Sequence, residues 1–203
     1  MVSEVIFDVE TKKFFDEIEG HDPADLGVSL VSAYSRELDD NFQEISGRMQ
    51  SFFEKDFDQM WKLFLKADRI IGFNSLHFDV PALKPYAPPA FSKLSHFDVL
   101  AELKDASGRR VSLNSVARET LGETKNDNGA NAIKYFAAGD PDSLAKLLKY
   151  CEMDVEITKK VYDHGREHKQ LKYKDFWNTV HTVDVDFSYP VNFTAAAKQE
   201  SLF

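Results

Sequence analysis

The chain has very little cysteine, since Cys151 is the only one in 203 residues. An internal disulfide is therefore excluded, which fits a cytoplasmic protein kept in its reduced form. Basic residues are also in short supply, because 25 Lys and Arg stand against 34 Asp and Glu. The net charge of −9 argues against a protein that holds nucleic acid by bulk positive potential. An acidic chain can still approach phosphate groups through divalent cations bound to clustered carboxylates.

Long hydrophobic runs are missing as well, and we expect no leader segment. No apolar run approaches the roughly 20 residues that a membrane-spanning helix needs, and no basic or apolar segment precedes the first predicted strand. We therefore expect no membrane partner. Structural zinc is not expected at His77 or His96, because neither has a cysteine partner or a closely spaced second histidine.

The order of the predicted elements indicates an α/β fold with a mixed sheet flanked by helices. Three strands come first and should form an antiparallel meander, over Val2–Glu10, Leu26–Arg36 and Phe42–Arg48. Later strands are predicted over Arg69–Phe73, near Phe97–Leu100 and within Tyr173–Phe187. Helices are predicted over Phe52–Ala67, from Val80, over Ser112–Gly122, over Ile133–Ala138 and from Pro141 to about His164, with a polar loop over Glu123–Ala130 and Gly165 ending the last helix.

The first predicted strand carries two carboxylates, in the stretch VIFDVET. Because side chains alternate along a strand, Asp8 and Glu10 should point to the same face. Two like charges at the end of an apolar strand repel each other, so the pair needs a positively charged partner. A solvated strand end near Lys12 or Lys13 is the simpler alternative.

The long C-terminal helix carries a second polar pair, in the stretch YCEMD. Tyr150 and Asp154 are four residues apart and therefore share one side of the helix. At about 100° per residue, that side borders the apolar stripe that includes Leu147 and Cys151, which we expect to be buried. An isolated buried charge is costly, so a metal ion is the natural partner of Asp154.

Asp79 is a third carboxylate of this kind, since it follows the short apolar strand RIIGF by a few residues. Capping of the helix that begins near Val80 is the simpler role for it. Together with the other acids it could bind two Mg²⁺ or Mn²⁺ ions, because hard cations prefer oxygen ligands. Two such ions about 3.5–4 Å apart can activate water and stabilise the leaving oxygen of a phosphodiester.

These segments together resemble the DEDD superfamily of 3′–5′ exonucleases. The motifs that carry the resemblance are FDVET at Phe7–Thr11, NSLHFD at Asn74–Asp79 and YCEMD at Tyr150–Asp154. Each motif alone is weak, whereas the three in this order are specific. The resemblance covers roughly residues 4–165. It implies a ribonuclease H-like fold, two divalent cations as cofactors and nucleic-acid 3′ ends as substrates, and the tyrosine at position 150 matches the family's tyrosine subgroup.

The resemblance also implies roles for individual residues. The metal ligands would be Asp8, Glu10, Asp79 and Asp154, with Asp8 bridging both ions. Tyr150 would orient or deprotonate the attacking water. The terminal nucleotides would contact Asn74, Phe78 and the backbone beside Thr11. His77 is expected either to line the substrate cleft or to be exposed.

The stretch KQESLF resembles the short Gln-x-x-Leu-Phe peptides by which bacterial replication and repair proteins bind the sliding clamp. Leu202 and Phe203 would fill an apolar pocket, and Gln199 would form a hydrogen bond at its rim. A chance tail, or one that packs back on the domain, is the alternative. The clamp interpretation favours DNA over RNA as the substrate.

We therefore expect a metal-dependent 3′–5′ exonuclease that acts on DNA in replication or repair. The catalytic domain is predicted over residues 1–188, followed by a flexible tail over residues 189–203 that carries the clamp-binding motif. Two alternatives stay open. One is an exoribonuclease that trims RNA 3′ ends, and the other is a non-catalytic, clamp-associated module that binds nucleic acid.

Overall fold

A five-stranded mixed sheet forms the centre of the computed structural model, which describes residues 1–124 and 129–190. The strand order is β3-β2-β1-β4-β5. The strands are β1 (Val2–Thr11), β2 (Val28–Leu38), β3 (Glu44–Phe53), β4 (Arg69–Gly72) and β5 (His96–Asp98). β1, β2 and β3 pair antiparallel, whereas β4 is parallel to β1 and β5 is parallel to β4. The predicted meander and the predicted α/β class are both confirmed.

Helices and one hairpin complete the described part of the chain. The helices are α1 (Phe57–Phe64), α2 (Asp79–Leu83), α3 (Val99–Ser107), α4 (Leu113–Leu121), α5 (Gly129–Ala138) and α6 (Pro141–His168). After α6, the strands β6 (Gln170–Lys174) and β7 (Val180–Asp184) pair antiparallel. Ser112 caps α4 as predicted, because its hydroxyl accepts a hydrogen bond from the Ser115 N–H. Among the described residues, no helix combines the length and the apolar character that a membrane crossing requires.

Several predicted boundaries were wrong. Phe52 and Phe53 belong to β3, where they pair with Val31 and Leu30, so the predicted helix over Phe52–Ala67 is shorter. α5 begins at Gly129, inside the predicted polar loop, of which residues 125–128 lie outside the described part. The single strand predicted within Tyr173–Phe187 is instead the second half of the β6–β7 hairpin.

Gly165 does not end the long helix, contrary to the prediction. α6 continues to His168, and Lys169 follows in the left-handed conformation with φ of 56°. Gly165 is needed for packing instead, because a Cβ placed on it would lie 2.3 Å from the buried ring of Phe187. The glycine therefore allows the segment after β7 to pack directly against α6.

The two faces of β1 pack against different helices. Val5, Phe7 and Val9 contribute to a core with α1 and α2. Ile6 lies between Val5 and Phe7, so its side chain points to the opposite face of the sheet. There it contributes to a second core with α6. Asp8 and Glu10 have the same parity as Ile6, so they project from the face of the sheet that α6 covers.

A buried ionic network occupies the N-terminal end of β1. Glu4 is fully buried and accepts a hydrogen bond from Arg36 Nε at 2.7 Å. Arg36 also donates to both carboxylate oxygens of Asp163 on α6, at 2.6 and 3.0 Å. The Tyr189 hydroxyl donates to Glu4 at 2.5 Å, and the Arg69 guanidinium lies 3.6 Å from the Tyr189 ring centre. This network attaches the end of the described chain to the sheet. The flexible tail was predicted over residues 189–203, of which residues 191–203 lie outside the described part.

Candidate active site

The C-terminal end of β1 opens into a cleft of about 350 Å³. Asp8 and Glu10 both line it, as their shared parity predicts. The pairing of β1 with β2 shifts between Glu10 and Thr11, and a β-bulge of this kind re-aims the neighbouring side chains. Glu10 is buried and Asp8 is half-buried, so both carboxylates have lost much of their contact with water.

Asp79 enters the same cleft from α2. It is the first residue of that helix, and its side chain does not cap it, so the capping role was wrong. Its Oδ1 accepts instead a hydrogen bond from the Val9 N–H of β1 at 2.9 Å. Burial raises the pKa of Asp79 to about 7, and the negative charges of Asp98 and Asp154 act in the same direction.

α6 brings Tyr150 and Asp154 to this place. Both side chains are buried, as the helical spacing predicts, and Asp154 lines the cleft. Burial raises the pKa of Tyr150 well above its ordinary value, and the charges of Asp154, Glu10 and Asp8 raise it further. A hydrogen bond to Asp154 contributes to the same shift. The Tyr150 hydroxyl therefore stays protonated in the metal-free protein and can donate a hydrogen bond.

Cys151 is a neighbour of the carboxylates that sequence reasoning described only as a small buried residue. Its burial is confirmed. The Sγ atom also lies 3.5 Å from the carbonyl oxygen of Asp8 and 3.7 Å from its Oδ2. The thiol is a weak donor that helps to hold Asp8. The sequence did contain a signal for this position of Cys151. It precedes Asp154 by three residues on the helix, and this spacing places both residues near β1.

Asp98 holds the loop between β4 and α2 and was not identified from the sequence. Its Oδ1 accepts from the Asn74 N–H at 2.7 Å, and its Oδ2 accepts from the Leu76 N–H at 3.0 Å. Oδ1 also caps α3 through the Leu100 N–H at 2.9 Å. Asn74 has φ of 65°, a left-handed conformation that asparagine tolerates better than most residues. Asp98 thus ties β5, α3 and the loop that precedes Asp79 into one unit.

Aromatic side chains form a wall of the cleft. Phe14, Phe15 and Phe78 all line it, and the rings of Phe15 and Phe78 meet edge to face at 6.2 Å. The predicted substrate residues Thr11 and Asn74 line it as well. An apolar wall beside clustered acids suits a ligand that has both a planar base and a phosphate.

The predicted roles of two further groups of residues are not tested by the structure. His77 is exposed and is not among the described residues that line the cleft. Its predicted contact with substrate stays a prediction. Gln199, Leu202 and Phe203 lie outside the described residues, so the clamp-binding prediction is likewise untested.

The donor atoms in the cleft suit a hard divalent cation. Possible ligand atoms of Asp8, Glu10 and Cys151 all lie within 4.8 Å of one another. Burial raises the pKa of the Cys151 thiol well above its ordinary value, so the thiol stays protonated and the carboxylate oxygens are the useful donors. The alternative for Asp8 and Glu10 was a solvated strand end near Lys12 or Lys13. It loses support for Lys12, because that side chain forms an ion pair with Glu54 instead.

A comparison with known families agrees with this geometry. A family model described as RNase_H superfamily matches residues 5–165, a span that contains all four carboxylates. The chain belongs to the RNase H superfamily. The predicted ribonuclease H-like fold is therefore confirmed, and the assignment supports a nucleic-acid-cleaving function that uses divalent metal. No match to a curated protein accompanies it.

Asp79→Asn is expected to stabilise this RNase H superfamily domain above neutral pH when metal is absent. Because the pKa of Asp79 is raised to about 7, the folded protein binds a proton between about pH 4 and pH 7 that the unfolded chain has released. The stability that protonated Asp79 gives to the folded protein is therefore lost as the pH rises from about 4 to about 7. The amide cannot ionise and can still accept from Val9, so a gain of about 1–3 kcal/mol at pH 8 is expected.

Thermal unfolding in EDTA between pH 4 and pH 9 measures this effect. Asp58→Asn, at an exposed position of α1, is the matched control and should follow the wild type. An Asp79→Asn variant that is less stable than the wild type at pH 8 would contradict the expectation.

Proposed function

We propose that the protein is a metal-dependent 3′–5′ exonuclease of the tyrosine DEDD subgroup, and that it acts on DNA. One observation carries the proposal: carboxylates from three separate elements line one cleft, namely Asp8, Glu10, Asp79 and Asp154. The 3′–5′ polarity and the subgroup rest on the resemblance of the three motifs. The superfamily assignment supports the coarser statement that the chain cleaves nucleic acid.

The four carboxylates would hold two Mg²⁺ or Mn²⁺ ions. Up to four negative charges would otherwise face one another in a partly buried cleft, and two divalent cations would neutralise them. Bound there, such ions supply an activated water and stabilise the charge that develops on the phosphate. The Val9 N–H keeps Asp79 oriented, and the Cys151 thiol helps to hold Asp8. These contacts favour carboxylates that are positioned before a cation arrives.

Tyr150 would orient or deprotonate the attacking water. The hydrogen bond of Tyr150 with Asp154 and the effect of the Asp154, Glu10 and Asp8 charges on its pKa support this role. The nearby N-terminus of α5 narrows this part of the cleft, since a Cβ placed on Gly129 would lie 4.0 Å from the Tyr150 hydroxyl. Asn74 and Phe78 would contact the terminal nucleotide.

The protein is expected to shorten single-stranded oligonucleotides from the 3′ end in Mg²⁺ or Mn²⁺. A 5′-labelled substrate should give a ladder of shorter products, and a 3′-labelled one should release labelled nucleoside 5′-monophosphate at once. EDTA should abolish both reactions, because the carboxylates alone supply no activated water. DNA and RNA oligomers measured side by side decide between the proposed substrate and the exoribonuclease alternative.

Two variants separate binding from chemistry. Asp154→Asn should lose nearly all activity, whereas Tyr150→Phe should keep its metal while kcat falls by about 10²–10⁴-fold, the range typical of general acid–base groups. Tyr150→Phe turnover equal to that of the wild type would overturn the subgroup assignment. Intact DNA and RNA 3′ ends after incubation of folded protein with Mn²⁺ would overturn the proposed activity and favour the non-catalytic alternative.

We also propose that Gln199, Leu202 and Phe203 tether the enzyme to a sliding clamp. Tyr189 is attached to Glu4, six residues before Glu10 on the same strand, so this point near the end of the described chain lies about 20 Å from Glu10. A tail that starts there can reach a partner without crossing the cleft, and tethering would raise the effective concentration of enzyme at a primer end.

Deletion of residues 199–203 tests the tether. Clamp-dependent stimulation on a clamp-loaded primer-template should disappear, while cleavage of free oligonucleotides should stay unchanged. Equal stimulation of the full chain and the truncated chain would contradict the proposal and would weaken the case for DNA.

A further inference from the structure

The tip of the β6–β7 hairpin exposes two aromatic side chains. Phe176 is 93% exposed and Trp177 is 72% exposed, the highest values among the large hydrophobic residues of the described chain. Their rings meet edge to face at 5.7 Å. Exposure of this extent costs solvation free energy and suggests a role in binding.

The tip has a defined conformation. Asp175 Oδ1 accepts hydrogen bonds from the N–H groups of Trp177 and Thr179, each at 2.9 Å. Its Oδ2 contacts His181 Nε2 at 2.8 Å, which links the tip to β7. The exposed rings are therefore presented by a braced turn, so little conformational entropy would be lost when a ligand stacks on them.

The base of the hairpin is fastened to α4. The Ser115 hydroxyl lies 3.0 Å from the N–H and 3.1 Å from the carbonyl oxygen of Lys174. The Thr120 hydroxyl contacts the N–H and the carbonyl oxygen of Lys172 in the same way, at 2.9 and 3.0 Å. The segment SLNSVARETLG thus acquires a structural role, which is to hold the hairpin at a fixed position.

A groove with a basic lining runs beside the tip, and one of its arginines contacts a residue of the cleft. Its volume is about 490 Å³, and Arg109, Arg110, Phe176 and Trp177 are among the residues that line it. Arg110 Nη2 lies 3.4 Å from the side-chain oxygen of Asn74, which lines the cleft itself. Asp175 also lines the groove and forms an ion pair with Arg109 at 3.5 Å, but Arg109, Arg110 and Lys174 outnumber it. The groove is therefore locally positive on a chain of net charge −9.

We propose that this groove and the hairpin tip bind the single-stranded nucleic acid that trails from the cleft. The inference rests on the proposed nuclease function, because the cleft would hold the 3′ end of the same strand. Phe176 and Trp177 would stack on bases, and Arg109 and Arg110 would contact phosphates, the combination that binds single strands without sequence preference. Continuity of the arginines with the cleft favours a nucleic-acid strand over a protein partner.

Equilibrium binding in EDTA tests the proposal without hydrolysis. The anisotropy of labelled oligonucleotides of about 20 nucleotides gives Kd for the full chain and for Phe176→Ala/Trp177→Ala, which should bind about tenfold or more weakly. Arg109→Ala/Arg110→Ala should weaken binding and reduce the slope of log Kd against log salt by about 1. A dinucleotide is too short to extend from the cleft to the hairpin tip, so its hydrolysis in Mn²⁺ should not change in Phe176→Ala/Trp177→Ala.

Matched control variants show whether a loss of affinity comes from lost stacking or phosphate contact, or from substitution of an exposed residue in general. Trp177→Phe keeps an aromatic ring and should retain most of the affinity, whereas Arg48→Ala removes an exposed arginine on β3 and should bind like the wild type. The fluorescence of Trp177 also reports on binding directly, because the other tryptophan, Trp61, is only 8% exposed. Quenching of the exposed tryptophan on addition of the oligonucleotide supports stacking.

Two results would overturn the proposal. One is an affinity that is the same for the wild type, Phe176→Ala/Trp177→Ala and Arg109→Ala/Arg110→Ala. The other is self-association of the wild type that the aromatic variant abolishes while oligonucleotide affinity is unchanged, which would make the tip a protein contact. Tip-dependent binding without metal-dependent hydrolysis would refute the nuclease function alone, and hydrolysis with tip-independent binding would refute this inference alone.

Discussion

Repulsion between carboxylates at the C-terminal end of β1 is the constraint on which the rest of the structure depends. Asp8 and Glu10 project from one face of the strand, and α2 and α6 add Asp79 and Asp154 to the same cleft. Burial raises the pKa of Asp79, and the negative charges of Asp98 and Asp154 add to that shift, because like charges in a partly buried cleft make each other harder to ionise. The fold must therefore hold these side chains together against their own electrostatics.

The two ends of β1 manage buried charge in different ways. At the N-terminal end, Glu4 receives a permanent partner, Arg36, whose charge is shared with Asp163. At the C-terminal end, Lys13 is the single basic side chain among the described residues that line the cleft, and it is exposed. The acids are held instead by neutral donors, the Val9 N–H and the Cys151 thiol, which position them without neutralising them. A site arranged in this way favours a mobile cation as the missing partner.

Much of the site could be predicted because local periodicity determines it. The period of two along a strand places Asp8 and Glu10 together, and the period of 3.6 along a helix places Asp154 beside the core. Contacts between distant segments could not be predicted in the same way. The hydrogen bonds that Asp98 accepts from Asn74 and Leu76 join residues 24 and 22 positions apart. The close approach of Gly165 to Phe187 likewise depends on where the chain runs after β7. Helical propensity alone predicted that α6 ends at Gly165, but tertiary packing outweighs that propensity and the helix continues.

Titration of Mn²⁺ into the metal-free protein tests the central claim most directly, with binding followed by calorimetry near pH 8. Saturable binding of about two ions per chain is expected, the number that four clustered carboxylates can hold. Asp8→Asn should weaken that binding by at least tenfold, and Asp58→Asn on the surface of α1 should leave it unchanged. Absence of saturable binding, or equal binding by Asp8→Asn and the wild type, would contradict the claim that these carboxylates share cations.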